Sequence, residues 1–598
     1  MTTAYTAPLK DMQFVLRELA GLDEIARLPG CEDATGDLVD SVLDGAATFA
    51  AEVWGPLNAR GDTEGVTWHD GAVTTPDGFV EAYRQFAEAG WNGLRFPVEF
   101  GGQGLPKLVD TAVMEMWNAS NMAFSMAPLL TQGAIEAILL RGSAAQQATY
   151  LPRMVSGEWA GTMNLTEPQA GSDLALLRTK AIPEGDHYRI HGQKIFISFG
   201  EHDLTDNIVH LVLARTPGAP EGVKGISLFI VPKFLVHEDG SLGERNDVRC
   251  VSVEHKLGIH VSPTAVLAFG DGAGAVGYLL GAENRGLETM FIMMNEARFG
   301  VGVQGLAIAD RALQQALAYA RDRVQGKDAA APKGPSVVII RHPDVRRMLM
   351  SMKSRVEAMR ALAYVVAAMI DRAHHEPDPA RRAEAQAGVD LLIPILKGWC
   401  TETGIEVAST GVQVHGGNGF IEETGAAQHL RDARITAIYE GTTGIQANDL
   451  VGRKLLREGG RSMHALVEQI GGAAETLAAA ADPDLRTIGA RLRVGVRAMA
   501  DAVDWILATG TSDLNAVLAG AVPFLHLCGV VCGGWQLARA AQAARQRLDA
   551  GDTDAAFLRA KIATARFFAD QDLVRAHGLA EATIHAGVGT MALAEADF

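Results

Sequence analysis

Tyr188–Ser198 reads YRIHGQKIFIS, a run of β-branched and aromatic residues with no helical stripe and a glycine in its middle. Such a run is a strand. Outward from it, Asn207–Arg215 (NIVHLVLAR), Lys224–Pro232 (KGISLFIVP) and Val248–Glu254 (VRCVSVE) share that character and are parted by Gly, Asp and Pro. The pattern predicts an insert of antiparallel strands over about 160–285, a small barrel or sandwich. Beyond it the period changes. Leu287, Met290, Phe291 and Met294 fall at i, i+3, i+4 and i+7, the spacing of one helix face. Helices continue to about 455, with a Gly-rich break at His415–Gly419. Residues before 155 also read as helical. Pro128 is expected to divide the apolar stretch Leu108–Leu140 into two helices, and Trp91–Pro106 is rich in turn residues. Gly459, Gly460 and Pro483 bracket a linker, and an Ala-rich helical tail runs from there to Phe598.

The chain has 598 residues and a net charge of −18. A surface this acidic repels phosphate-rich partners, so nucleic acid and anionic membranes are excluded as general ligands, while a small anion in a locally positive pocket is not. Five cysteines in such a length are no disulfide framework and fit a reducing compartment. Lys10, Asp11, Arg17 and Glu18 interrupt any signal core, and Met12, Val15, Leu16 and Leu19 form an amphipathic helix instead. Leu514–Ala538 carries no charge and is long enough to span a bilayer, but its Asn515, Pro523, His526 and Gln536 argue for a buried helix or helix pair broken near Pro523. The expectation is a cytoplasmic protein without a membrane span.

Gly300–Gly305 (GVGVQG) matches GxGxxG, but a helical pattern runs into it where a dinucleotide fingerprint needs a strand; helix packing at small residues is the better reading. The histidines lack metal-ligand spacing. Three stretches carry more chemistry. Asn164–Asp173 (NLTEPQAGSD) offers hydroxyls and backbone N–H groups suited to a polar heterocycle or an anion. In Gln193–Gly200 (QKIFISFG), alternation puts Phe196 and Ser198 on one face, an aromatic wall and a hydroxyl. In Ile438–Gln446 (IYEGTTGIQ), Glu440 sits on a Gly-flanked loop and Thr442 or Thr443 can cap the helix that follows. A carboxylate so placed could act as a base.

In this order, PVEFGGQG, LTEPQAGSD, GQKIFIS, EARFGVGVQGLA, QVHGGNGF and LRDARITAIYEGTTGIQ resemble the acyl-CoA dehydrogenase family over roughly residues 85–455. The long lead and the helical tail resemble the bacterial subgroup that includes 3-methylmercaptopropionyl-CoA dehydrogenases of dimethylsulfoniopropionate breakdown. The resemblance implies an α+β multidomain fold: an N-terminal helical lead (1–80), an N-terminal helical domain (81–159), a middle β-domain (160–285), a helical bundle with the catalytic loop (286–457) and an extra C-terminal helical domain (458–598). The resemblance also implies FAD bound between the domains. By motif, Leu165 and Thr166 would meet the pyrimidine side of the flavin. Phe196, where the family often has Trp, would pack on the ring, and Ser198, where Thr is frequent, would reach N5. Arg323 would meet the FAD pyrophosphate and Gln413, Gly416 and Gly417 the adenosine, across a subunit interface, so a homodimer is implied. Thr442 would also face FAD. Ser172, Asn295, Arg298 and Gly441 would serve the acyl-CoA.

The implied reaction is α,β-desaturation of an acyl-CoA thioester, short-chain or 3-methylmercaptopropionyl, with Glu440 as base and electrons passing to an electron-transfer flavoprotein. Base and flavin must hold the Cα–Cβ bond between them, each reacting pair ~3–3.5 Å apart. Medium- or long-chain substrates, an oxidase that uses oxygen, and a silent FAD-binding scaffold are the alternatives. The sequence departs from the family at RVQGK (Arg323–Lys327), which lacks an aromatic, at Gly444, where Gln is common, and at Asn295, where an acid is common.

Overall fold

The computed structural model describes residues 3–237 and 239–598. The chain forms two compact units. One comprises Phe49–Leu105 and Ser120–Gly300; the other comprises the chain up to Thr48 with Pro106–Ala119 and Val301–Phe598.

The first unit is built on an eight-stranded sheet: β1 (Trp159–Asn164), β2 (Lys180–Glu184), β3 (His187–Ser198), β4 (Asn207–Ala214), β5 (Ser227–Pro232), β6 (Val248–Val253), β7 (Thr264–Phe269) and β8 (Ala275–Leu279). The spatial order is β6-β7-β3-β8-β5-β4-β1, with β2 beside β3. The predicted strands are present, but the insert is not wholly antiparallel. β1 pairs in parallel with β4, from Trp159↔Asn207 to Asn164↔Val212. The reason is topological: the chain leaves β1, makes the β2–β3 excursion and re-enters in the same direction. On β4, Val209, Leu211 and Leu213 pack with helix residues such as Ile135, Ile138 and Leu151, while Val212 and Ala214 pack with Phe229, Val231 and Phe269. Burial on both faces is why the strand reads as continuously apolar. An exposed hairpin, Thr67–His69 with Ala72–Thr74, interrupts a region expected to be helical.

Pro128 does not break its helix. Lys107–Arg141 is interrupted at Asn121 (φ −158°, ψ 83°). There the Asn121 Oδ1 accepts from the Phe124 N–H at 3.2 Å, so the second half begins with a side-chain cap. Proline lacks only one N–H; an asparagine offering an alternative acceptor is the stronger terminator here.

The second unit is helical. Pro343–His375 and Pro379–His415 form a hairpin around a three-residue turn. Gly302 faces this pair: a Cβ there would come 2.9 Å from Leu396, so the GVGVQG glycines serve close helix packing. Past Gly459 and Gly460, both at positive φ, come Arg461–Ala478, Pro483–Thr509, Ala521–Asp549, Ala555–Gln571 and Ala576–Thr590. The uncharged stretch breaks at Gly520 rather than at Pro523, which sits in the first turn of Ala521–Asp549, where its missing N–H costs little. That helix and Lys107–Arg141 are long and apolar enough to cross a membrane, and the apolar window of each is 83% buried in the protein.

A buried charge network crosses this unit. The Arg360 guanidinium bonds Glu115 at 2.6 Å, Asp11 at 2.7 Å and Asp310 at 3.2 Å. The Lys561 ammonium bonds Asp11 at 2.6 Å and Glu357 at 2.7 Å. Burial alone would raise the Asp11 pKa, but Lys561 and Arg360 hold it well below the usual carboxylate range. Met12, Val15, Leu16 and Leu19 are buried beside Asp11, as the amphipathic spacing predicts.

Candidate functional site

In the sheet unit, the chain leaves β1 and runs along β3. The Ile195 N–H donates to the Thr166 carbonyl at 2.9 Å, and the Lys194 ammonium donates to the Leu165 carbonyl at 3.1 Å. Lys194 also meets Glu167 at 2.9 Å, both side chains buried. Glu167 further accepts from the Thr179 N–H (3.0 Å), the Thr179 hydroxyl (2.5 Å), the Arg178 N–H (2.7 Å) and Gln169 Nε2 (2.6 Å). Burial opposes ionisation of Glu167, but Lys194 and these donors hold its pKa down at about 2. Burial likewise lowers Lys194 to about 8, against the pull of Glu167.

Two residues beyond Lys194 the strand bulges: Lys194 pairs with Leu267 but Ile197 with Ala265. Phe196 takes φ +59° in this bulge, and its ring is 60% exposed. The count slips between Lys194 and Ile197, both buried, and alternation resumes beyond it, with Phe196 exposed, Ile197 buried and Ser198 half-buried. A bulge re-aims one side chain and is common beside functional sites. The chemistry of this donor set suits a planar heterocycle: an outstanding aromatic ring, the half-buried Thr166 and Ser198, and strapped backbone groups. Ser172 lies on an exposed bend before the Asp173-capped turn Leu174–Leu176. Asn295 is exposed and Arg298 buried on the helix Gly286–Asp322.

In the helical unit, Glu440 is a non-glycine residue at φ +56°, followed by Gly441 at φ +86°. The loop is gripped through its carbonyls. Gln446 Nε2 donates to Glu440 O at 3.1 Å and to Gly441 O at 3.3 Å, and buried Lys397 donates to Gly441 O at 2.7 Å. Thr442 caps the helix Thr443–Asp449 by accepting from the Ile445 N–H at 3.3 Å. Thr443 instead donates to Glu402 at 2.6 Å. Tyr439 bonds Gln304; burial first, and then the Glu440 carboxylate, push its phenol far up.

Arg323 and the Gly-rich end of Pro379–His415 form a second cluster. The Tyr319 ring stacks on His415 at 4.4 Å and its hydroxyl accepts from Asn418 at 3.0 Å, while the Tyr319 carbonyl accepts from the Arg323 N–H at 2.8 Å. Arg323, Gln413, Gly416 and Gly417 are exposed, and a Cβ at either glycine would meet nothing within 4 Å. An exposed arginine one turn beyond Tyr319 and the bare backbone that follows His415 are the kinds of group that suit a pyrophosphate with its sugar. From Lys397 to Gln413 along one helix is about 24 Å at the helical rise, so this cluster and the Glu440 loop are separate stations. Lys194, Glu167, Lys397 and Gln446 were not singled out by the sequence; a lysine inside an apolar run is the only signal Lys194 and Lys397 gave.

Residues 40–158, 162–271 and 284–455 match the families described as acyl-CoA dehydrogenase N-terminal, middle and C-terminal domains, and 466–594 match acetyl-CoA dehydrogenase C-terminal like. The chain is 51% identical over 571 residues to 3-methylmercaptopropionyl-CoA dehydrogenase of Ruegeria pomeroyi, covering 95% of this chain and 96% of that protein. It is 37% identical to a butyryl-CoA dehydrogenase of Syntrophomonas wolfei, covering 94% of each. The crystal structure of Caenorhabditis elegans ACDH-11 in complex with C11-CoA superposes with a TM-score of 0.75 at 20% identity, over 96% of this chain and 92% of that one, a likeness of fold.

Proposed function

The chain belongs to the acyl-CoA dehydrogenase family and is an oxidoreductase, and from that premise we propose that Glu440 is the base that takes the α-proton of an acyl-CoA thioester in its α,β-desaturation. The carrying observation is the Glu440 loop: a non-glycine residue held at φ +56° by donors on its own and its neighbour's carbonyls. Such strain persists only where the surroundings enforce it, and here it fixes the direction of a carboxylate. An α-proton beside a thioester is weakly acidic, so a base in contact and donors on the carbonyl oxygen are both needed. The Glu440 N–H, on the same clamped loop, is the protein donor.

The cofactor is FAD, which supplies hydride acceptance from the β-carbon. Leu165, Thr166, Phe196 and Ser198 would hold its ring, Thr442 its phosphate or ribose, and Arg323, Gln413, Gly416 and Gly417 its pyrophosphate and adenosine. The separation of the last group from the Glu440 loop, and its exposure, favour service to a second copy's cofactor and so a homodimer, which sedimentation of the holoenzyme tests. Ser172, Asn295, Arg298 and Gly441 would hold the acyl-CoA. The Ruegeria relative favours 3-methylmercaptopropionyl-CoA as substrate, with short acyl chains such as butyryl next. The acceptor is an electron-transfer flavoprotein and the compartment the cytoplasm.

Glu440→Gln is expected to retain yellow FAD and bind acyl-CoA but to lose turnover by about 10³-fold or more; wild-type turnover would refute the base. Comparison of kcat/KM for butyryl-CoA and 3-methylmercaptopropionyl-CoA checks the substrate, since one methylene is worth only about 1–3 kcal/mol. Peroxide formed without an acceptor protein would make the enzyme an oxidase.

A further inference from the structure

We propose that the buried Glu167–Lys194 pair is a positioning device for the flavin ring: it fixes the Leu165–Thr166 peptide and strengthens the Thr166 N–H as a donor to the bound isoalloxazine. The proposal rests on the reading of Leu165, Thr166 and Phe196 as flavin contacts. The ammonium of Lys194 lies 3.1 Å from the Leu165 oxygen. That oxygen and the Thr166 N–H belong to one peptide group. A charged donor on the oxygen polarises the group, and polarised chains of hydrogen bonds strengthen one another in a low-dielectric interior.

The pair also sets the ring-bearing strand. Lys194 is the last residue in register with β7 before the bulge that turns Phe196 outward. The Ile195 N–H on the Thr166 carbonyl closes the same junction at 2.9 Å. Glu167 cannot swing away, because Thr179, Arg178 and Gln169 occupy both its oxygens. Donor and aromatic wall are thus placed by one pair of charges that touches neither the substrate nor the reacting atoms. A stronger N–H donor favours the more electron-rich, reduced ring, so the pair raises the flavin midpoint potential.

The test is a redox titration and an FAD-release measurement on the purified holoenzyme. In Lys194→Met with Glu167→Gln, which removes both charges, the midpoint potential is expected to move negative and the FAD dissociation constant to rise roughly tenfold. Thr179→Val, which removes one hydroxyl from Glu167 at nearly constant volume, should weaken FAD roughly threefold. Phe196→Ala reports on the flavin site independently, through the absorption and fluorescence of bound FAD. If Phe196→Ala alters the flavin while the double variant keeps wild-type potential and affinity, the positioning role is overturned and the site assignment stands. If none of the variants alters potential, affinity or spectrum, the site assignment itself fails. Should the double variant not fold, unchanged potential and affinity in Thr179→Val overturn the proposal.

Discussion

At the end of β1 the Leu165 carbonyl takes a hydrogen bond from Lys194 at 3.1 Å; in the helical unit the Gly441 carbonyl takes one from Lys397 at 2.7 Å. Both lysines are fully buried, and each lies near a non-glycine residue at positive φ, Phe196 at +59° and Glu440 at +56°. The likeness ends at what is held. Around Leu165 the groups proposed to hold the ring are backbone ones, and a side-chain ion pair, Glu167–Lys194, lies against them. Around Glu440 the group proposed to react is a side chain, and the backbone is clamped through carbonyls 440 and 441. A binding surface made of peptide groups tolerates side-chain neighbours that are fully engaged. A reacting carboxylate needs its direction set from behind.

The sharpest way to break this comparison is Lys397→Met. It leaves the Gly441 oxygen short of a donor and lets the loop relax. Expected are a loss of about 100-fold in kcat with FAD retained, seen in steady-state kinetics, and up to about 3 kcal/mol of folding stability. A wild-type kcat would mean that the loop holds its shape without this donor.

Next in size is Glu167→Gln. The folded-state pKa of Glu167 is depressed to about 2 from 4.5. Its contribution is therefore fully present above about pH 4.5 and is lost as pH falls toward 2, an effect on the order of 3 kcal/mol at most. Chemical denaturation across that window should show the wild type converging on the variant as acid is added. A gap that stays constant would say that the carboxylate's charge does not stabilise the fold.

Thr442→Ala removes the cap of Thr443–Asp449 and should cost about 1 kcal/mol, with kcat affected less than in Lys397→Met because the carbonyl clamps remain. The smallest effect is expected for Phe196→Gly. Relief of the left-handed backbone is worth about 1 kcal/mol and is partly offset by glycine's greater freedom when unfolded. The protein stripped of FAD should melt at the same temperature or slightly higher, while FAD binding weakens.

Much of this was legible in the sequence, and the omissions share a cause. The strand at Tyr188–Ser198 and the helix at Leu287–Met294 announce themselves because burial on one face imposes a period. Glu440 was legible through its Gly-flanked loop and the ordered motifs around it. The break at Asn121 was misplaced to Pro128 because proline's cost is local and visible, whereas a cap bond from Asn121 to Phe124 depends on what surrounds it. The parallel pairing of β1 with β4 was missed because residue type does not record strand direction. Lys194 and Glu167 escaped for an electrostatic reason: each alone reads as a surface charge, and only their meeting allows both to be buried. The bulge between Lys194 and Ile197 was not legible: strict alternation puts Lys194 on the same face as Phe196, yet Lys194 is buried and Phe196 exposed.

The contact between Asp11 and Lys561 spans 550 positions of chain. A ribosome adding about 5–20 residues per second releases the first partner roughly half a minute to two minutes before the second. For that interval Asp11 waits for a lysine not yet made, and for the first 349 positions of it for Arg360 as well, so the helix that carries Asp11 has no settled berth. Newly synthesised protein should therefore depend on chaperones that shield its leading segment, and a fusion placed ahead of Asp11 should depress yield far more than one placed after Phe598.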